Sequence, residues 1–244
     1  MKKFKSVHTG RTIMFDELEK VMDFSIDSND FLESLEDNVF GKKSASSVNF
    51  TKSYLKKLYS FDLSYQPFLA FKYFWEITEA EEKPLIAFLY AINQDDILSQ
   101  SIEVVEGVKI GEKFDKKLLE GLIEKNYPNK YSLNTRKSIS RNITSSWKQA
   151  GFIEGRVKTT RVLPEIGFRV ACFAFLLAYL NGDRGEFILN SSVVKSLFLP
   201  ESRLRELAIE CSRNDLMQYQ YAGEVTSISF TNLLNKVGID ANTN

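Results

Sequence analysis

Histidine, cysteine and proline are scarce in this chain of 244 residues, which has one His, two Cys and five Pro. A single histidine, His8, leaves too few imidazoles for most zinc sites and for most Ser-His or Cys-His catalysts. Cys172 and Cys211 alone cannot form a disulfide framework, so a reducing compartment, the cytoplasm, is expected. Long apolar runs are missing as well. The most apolar run, Val170 to Leu180, has eleven residues, whereas a bilayer span needs roughly 20. It reads instead as a core helix covered on every face. The start, Met1-Lys2-Lys3-Phe4-Lys5, is basic, but His8, Thr9, Gly10, Arg11 and Asp16 interrupt any apolar stretch behind it, so no secretion signal is expected. No glycine-rich phosphate loop is present, because the run from Gly107 to Lys113 lacks both the spacing and the final Ser/Thr. The carboxylate pairs Glu81-Glu82 and Asp95-Asp96 are adjacent in sequence and diverge on a helix. The expectation is therefore no metal, no cofactor and no catalysis. His8 should be exposed near the terminus, and the cysteines should behave as small buried hydrophobes.

What is present is an ordinary folded composition, 43% apolar and 26% charged, far from the signature of disorder. Lysine plus arginine and aspartate plus glutamate both number 32, yet the charges are segregated. Residues 15–37 hold nine acids and one lysine, and residues 39–61 hold five lysines and no acid. Residues 76–124 hold twelve acids and five lysines, and residues 130–161 hold eight basic residues and one acid. Such blocks bear on partners more than on fold.

Helical periodicity covers most of the chain. It predicts helices over 13–24, 44–58, 67–77, 84–93, 97–106 and 114–125, with serines capping the second and Pro67 in the first turn of the third. The third carries Phe68, Phe71, Tyr73, Phe74 and Trp75. Such a helix could stack bases, but five aromatics on an apolar helix are the commoner mark of a core. Two stretches break the pattern. In the first, Ser132 or Asn134 caps a helix to Gln149 with the stripe Ile139, Ile143 and Trp147. Gly151 then stops it, and two β-prone runs, 152–154 and 156–162, flank Gly155 as a hairpin. In the second, Ser191 or Ser192 caps a short helix and Ser202 caps another to Asn214, followed by a hairpin over 219–230 with Ile228 and Phe230 alternating against serines. Helix, turn, helix and hairpin is the order of a winged helix.

The basic residues of the first winged unit are Arg136, Lys137, Arg141 and Lys148 on the helix and Arg156, Lys158 and Arg161 on the hairpin, interleaved with serine, threonine and asparagine. Cations release the counterions of duplex DNA, and short hydroxyls and amides contact phosphate without holding a helix out of the groove. A solvated face is the plainer alternative, although such faces usually mix signs. Lys42, Lys43, Lys52, Lys56 and Lys57 could form a second phosphate surface or pair with the acidic helix over 15–37, and the pairing is the favoured reading. In the second winged unit Arg203, Arg205 and Arg213 are offset by Glu201, Glu206, Glu210 and Asp215, a pattern closer to a protein-contact module.

The order of pieces resembles the BrxA family of bacteriophage-exclusion (BREX) defence systems. The resemblance lies in Thr9-Gly10-Arg11 before a helix, in Lys42-Lys43-Ser44-Ala45-Ser46-Ser47 opening a basic helix, and in the aromatic and aliphatic helices at 68–92. It continues in Ser132-Leu133-Asn134-Thr135-Arg136 running into Trp147-Lys148-Gln149-Ala150-Gly151-Phe152-Ile153. The winged unit after Pro164 departs from it. The resemblance implies a cytoplasmic accessory protein of phage defence that binds duplex DNA with little sequence preference through 42–57 and 136–161, alongside other defence proteins. It supplies no catalytic residues.

The sequence thus predicts a mostly α protein, a helical bundle with two winged-helix-like units carrying short β-hairpins. The expected divisions are a bundle over 1–126, a basic winged unit over 127–163, a helical and winged part over 164–234, and a frayed tail over 235–244. Duplex DNA is the expected partner, with no membrane association. A protein-interaction adaptor and an RNA-binding helical protein are the alternatives.

Overall fold

The computed structural model describes residues 5–223 and 225–239. The chain folds into two units, each built from two chain segments: Met1–Phe61 with Gln94–Pro164, and Asp62–Asn93 with Glu165–Asn244. This differs from the sequential divisions expected above, because periodicity locates helices but not the partner on which each apolar stripe closes. The first unit opens with α1 (Phe15–Ser25), α2 (Phe31–Glu36) and α3 (Ala45–Tyr59); the second opens with α4 (Gln66–Ile77) and α5 (Lys83–Gln94). The first resumes with α6 (Asp96–Gln100), α7 (Ile102–Glu106), α8 (Lys117–Asn126), α9 (Leu133–Gln149), β1 (Ile153–Glu154) and β2 (Thr160–Arg161). The second closes with α10 (Phe168–Leu180), α11 (Glu186–Asn190), α12 (Ser192–Lys195), α13 (Glu201–Arg213), β3 (Gln218–Ala222), β4 (Val225–Ser229) and α14 (Thr231–Val237). The fold is mostly α with two antiparallel hairpins, β1–β2 and β3–β4, as the sequence predicts.

Local chemistry explains the boundaries. Ser44, Ser132 and Ser191 accept hydrogen bonds from the backbone N–H of Ser47, Thr135 and Val194, capping α3, α9 and α12. Pro67 lies in the first turn of α4, where its missing N–H is harmless. Several details depart from expectation. The helix predicted over 97–106 is two helices meeting at Ser101. Ser202 lies within α13, whose N-cap is Pro200 without a side-chain cap. Asn134 lies inside α9. The expected tail begins too early, since α14 runs to Val237 and Ile239 is buried; residues 240–244 lie outside the described residues. Phe114, expected to open α8, precedes it in an extended segment.

That segment completes the first winged unit. β1 and β2 pair with Ile153 opposite Arg161 and Glu154 opposite Thr160. On the other side of β2, Gly111 N donates to Arg161 O (2.8 Å), Arg161 N to Glu112 O (2.9 Å) and Phe114 N to Thr159 O (2.8 Å). The order is then helix α7, strand-like segment 111–114, helices α8 and α9, and hairpin β1–β2, with α8 packed on α9. Trp147 and Phe152 meet edge to face at 5.3 Å beneath the hairpin.

The second unit is organised around α10, where Val170 to Ala178 are all buried. Phe173 packs against Phe74 (5.2 Å) and Phe71 (6.2 Å) of α4. The aromatic helix is therefore core, as expected. Cys172 and Cys211 are free and buried, and burial together with the neighbouring Cys211 thiol pushes the Cys172 pKa well up. Both serve as small packing groups of the interior. Among the described residues, no helix is long and apolar enough to cross a membrane. Removing the Phe173 ring leaves an unfilled cavity against α4, so Phe173→Ala should destabilise the protein by about 3–5 kcal/mol, read as a lowered midpoint in urea unfolding followed by circular dichroism.

Candidate nucleic-acid interface

The first winged unit holds its long helix from within. Ile139, Ile143 and Trp147 form the buried stripe of α9. The indole N–H of Trp147 donates to Ser101 Oγ (2.8 Å), and Ser140 Oγ donates to Lys116 O (2.6 Å). With that stripe turned inward, Lys137, Arg141, Ser145 and Lys148, three or four residues apart, share the opposite face. Lys148 Nζ donates to Gly155 O (2.6 Å), tying the helix to the base of the hairpin. Thr159 Oγ1 donates to Phe114 O (2.7 Å), tying the hairpin to the segment before α8. Between these three elements lies a cleft of about 410 Å³. Its lining places Lys113, Lys116, Arg141, Lys148 and Arg156 around one carboxylate, Asp115, with the hydroxyls of Thr144, Ser145 and Thr159 among them. Five cations to one anion make this a strongly positive concavity, suited to oxyanions bridged by several donors.

The expected site residues divide into groups. Arg141, Lys148 and Arg156 line the cleft, and Lys137 and Lys158 are exposed on the same helix and hairpin. Arg136 instead forms an ion pair with Glu124 of α8. Arg161 is a correction: it is only 2% exposed, so it cannot be the surface contact that its place on the hairpin suggested. Its guanidinium donates to the carbonyls of Phe152 and Val162 and lies over the Phe152 ring. Burial lowers its pKa to about 10, and it serves as an internal brace for the hairpin. In the lysine block, Lys42 pairs with Glu17 (2.5 Å) and Lys52 with Glu36. The Lys52 hydrogen bond, helped by the charges of Lys52 and Lys56, holds the Glu36 carboxyl below the usual range. Lys57 donates to Ser6 O (2.6 Å), and Lys43 is exposed.

Lys113 and Lys116 are cleft residues that the sequence reading did not single out. They sit in a block with twelve acids, and a block average hides two cations flanking Phe114. The usable signal was the short extended run between Gly111 and α8. In the second winged unit Arg203 and Arg205 of α13 are taken up locally. Arg203 meets Glu206 (2.9 Å) and Glu210 (3.4 Å), and Arg205 meets Glu201 (2.7 Å) and Glu186 (3.6 Å).

His8 is the second correction. It is wholly buried, with Nδ1 2.9 Å from Asp95 Oδ2 and Nε2 2.9 Å from Ser146 Oγ. Sequence spacing could not show this, because the partners lie 87 and 138 positions away. The array has the composition of a Ser-His-Asp relay, yet all three groups are enclosed. Ser146 Oγ also accepts from Ile13 N (3.0 Å) and bonds Asn142 O (3.1 Å). Its geometry is that of a clamp joining the N-terminal segment, α6 and α9. Asp95 is the hub, accepting from Ser6 Oγ, Val7 N, Ile97 N and Leu98 N. Burial alone would raise its pKa; the charge and hydrogen bond of His8 and the backbone donors outweigh burial and lower it to about 2. Among the described residues no three His, Cys, Asp or Glu side chains converge as metal ligands. The chain matches no protein-family model, no curated protein and no solved structure.

Because the folded pKa of Asp95 lies below its ordinary value of 3.8, its stabilisation is present above about pH 4 and is lost as the pH falls through about 2. Wild-type stability should decline across that window. Asp95→Asn should lose about 3–5 kcal/mol at neutral pH and show a flatter decline below pH 4, measured by denaturant unfolding at stepped pH.

Proposed function

We propose that this protein is a non-enzymatic, largely sequence-independent duplex DNA-binding protein acting through the cationic cleft of its first winged unit. The observation that carries the reading is the gathering of Lys113, Lys116, Arg141, Lys148 and Arg156 between α9 and the hairpin. A rod of regularly spaced phosphates matches that charge, and binding is driven by release of condensed counterions. The exposed stripe of α9 carries side chains of the types that donate to phosphate and base edges. An exposed helix face suits the wide major groove of B-form DNA better than the deep, narrow one of A-form RNA, which favours DNA over RNA. The resemblance to the BrxA family supports a place as an accessory protein of a BREX-like phage-defence system in the bacterial cytoplasm.

A second reading, a protein-interaction adaptor, is favoured at other surfaces. Lys42 and Lys52 are occupied by Glu17 and Glu36, and Arg203 and Arg205 of α13 by glutamates. Such mixed-charge faces suit a protein partner better than a polyanion. The contacts are thus assigned to the cleft and the exposed Lys137 and Lys158 rather than to the 42–57 block.

With about five phosphates engaged, the plot of log affinity against log salt should have a slope near −4.5. The surface triple variant Lys113→Ala, Lys116→Ala, Arg141→Ala should weaken binding to all duplexes alike and flatten that slope by about 2.7. Lys42→Ala with Lys52→Ala should leave affinity nearly unchanged. Electrophoretic mobility shift at several salt concentrations measures all three, and a triple variant that binds as tightly as wild type would refute the cleft as the site.

A further inference from the structure

We infer that the hairpin tip of the first unit enters the minor groove of the bound duplex, with Val157 as an apolar wedge against the base edges; this rests on the DNA-binding reading above. Val157 is 92% exposed, the most exposed large hydrophobic side chain among the described residues. Single exposed apolar residues are ordinary, but this one stands at the apex of a turn between two exposed cations, Arg156 and Lys158. A cation, an aliphatic group and a second cation in succession match a groove with an uncharged floor and a phosphate wall on each side.

The turn is also anchored at its base. Gly155 has φ +86°, and a Cβ there would lie 2.0 Å from Lys158 O, so only glycine permits so sharp a return. Lys148 holds Gly155 O from the α9 side, and Thr159 holds Phe114 O from the other. β2 is paired on both edges, to β1 and to the 111–114 segment. The base is fixed, and three residues, 156–158, project beyond it. A tip that narrow can enter the minor groove, about 6 Å wide, which excludes a helix. The cleft between the hairpin and α9 carries Lys113, Lys116, Arg141 and Lys148, and Arg156 and Val157 of the tip form part of its wall. A phosphodiester strand lying there would place the major groove against α9 and the adjacent minor groove against the tip.

This placement yields a specificity that phosphate contacts alone do not supply. The minor groove distinguishes A·T from G·C through the guanine 2-amino group, which projects into its floor. An apolar wedge beside an arginine should favour narrow, A·T-rich grooves and readily unstacked steps. The ligand class is therefore duplex DNA with an unobstructed minor groove.

Fluorescence anisotropy of the full chain on labelled duplexes of equal length provides the test. Wild type should bind an A·T-rich duplex about tenfold more tightly than a G·C-rich one. Inosine in place of guanine removes the 2-amino group without altering the major-groove acceptors, and it should restore most of the lost affinity. Netropsin, which occupies the A·T minor groove, should compete. Val157→Ala should lose the A·T and inosine preferences and retain the salt slope, since no charge is removed. Val157→Asp should bind more weakly still. As Val157 is exposed, thermal unfolding of both variants should match wild type. If Val157→Ala keeps the preferences, or if inosine and netropsin have no effect while the cleft triple variant is weakened, the tip does not enter the groove and the cleft reading stands. If wild type fails to bind duplex DNA, both fall together.

Discussion

A carboxylate removed from water must be satisfied by the chain itself, and the first unit is built around one such group. Asp95 takes hydrogen bonds from the N-terminal segment, through Ser6 and Val7, and from the first turn of α6, through Ile97 and Leu98. Its contact with His8 passes the constraint on to Ser146 of α9. Three stretches far apart in sequence are thereby joined at one buried point. Removing any partner strands a polar group in a dry interior, so they hold one arrangement together. With α9 held at that point and by Trp147, its rotation about its own axis is set. The face that carries Lys137, Arg141 and Lys148 is turned outward as a result. The cationic cleft is in this sense a consequence of an interior network built from residues outside its lining.

Neutral net charge and a strongly charged cleft are compatible because pairing is uneven. Glu17 and Glu36 take up Lys42 and Lys52, and Glu124 takes up Arg136. Among the described residues that line the cleft, Asp115 alone opposes five cations. Local imbalance, not the sum over the chain, determines what the surface attracts.

The helices were legible in the sequence because apolar spacing and caps report directly on local backbone geometry. The stripe of Ile139, Ile143 and Trp147 and the cap at Ser132 are examples, and the two hairpins followed from Gly155 and from the alternation at Ile228 and Phe230. What could not be read was partnership across sequence distance. Arg161 looked like a surface cation because nothing local reveals that the carbonyls of Phe152 and Val162 enclose it. His8 looked solitary because Asp95 and Ser146 reach it only through folding. Lys113 and Lys116 vanished into an acidic average for the same reason. The block charge of residues 130–161 drew attention to α9 and the β1–β2 hairpin, but it could not show that Arg161 is buried or that Arg136 pairs with Glu124.

The interleaving of the two units bears on how the chain is made. α4 and α5 belong with α10 to α14, yet the first unit's segment from Gln94 to Pro164 is synthesised between them. At about 5–20 residues per second, the Phe71 and Phe74 rings of α4 leave the ribosome several seconds before Phe173 of α10 exists to pack on them. During that interval the side of α4 that faces α10 is uncovered apolar surface on a nascent chain. Production of this protein should accordingly depend on translation rate and on chaperones that shelter apolar segments during synthesis.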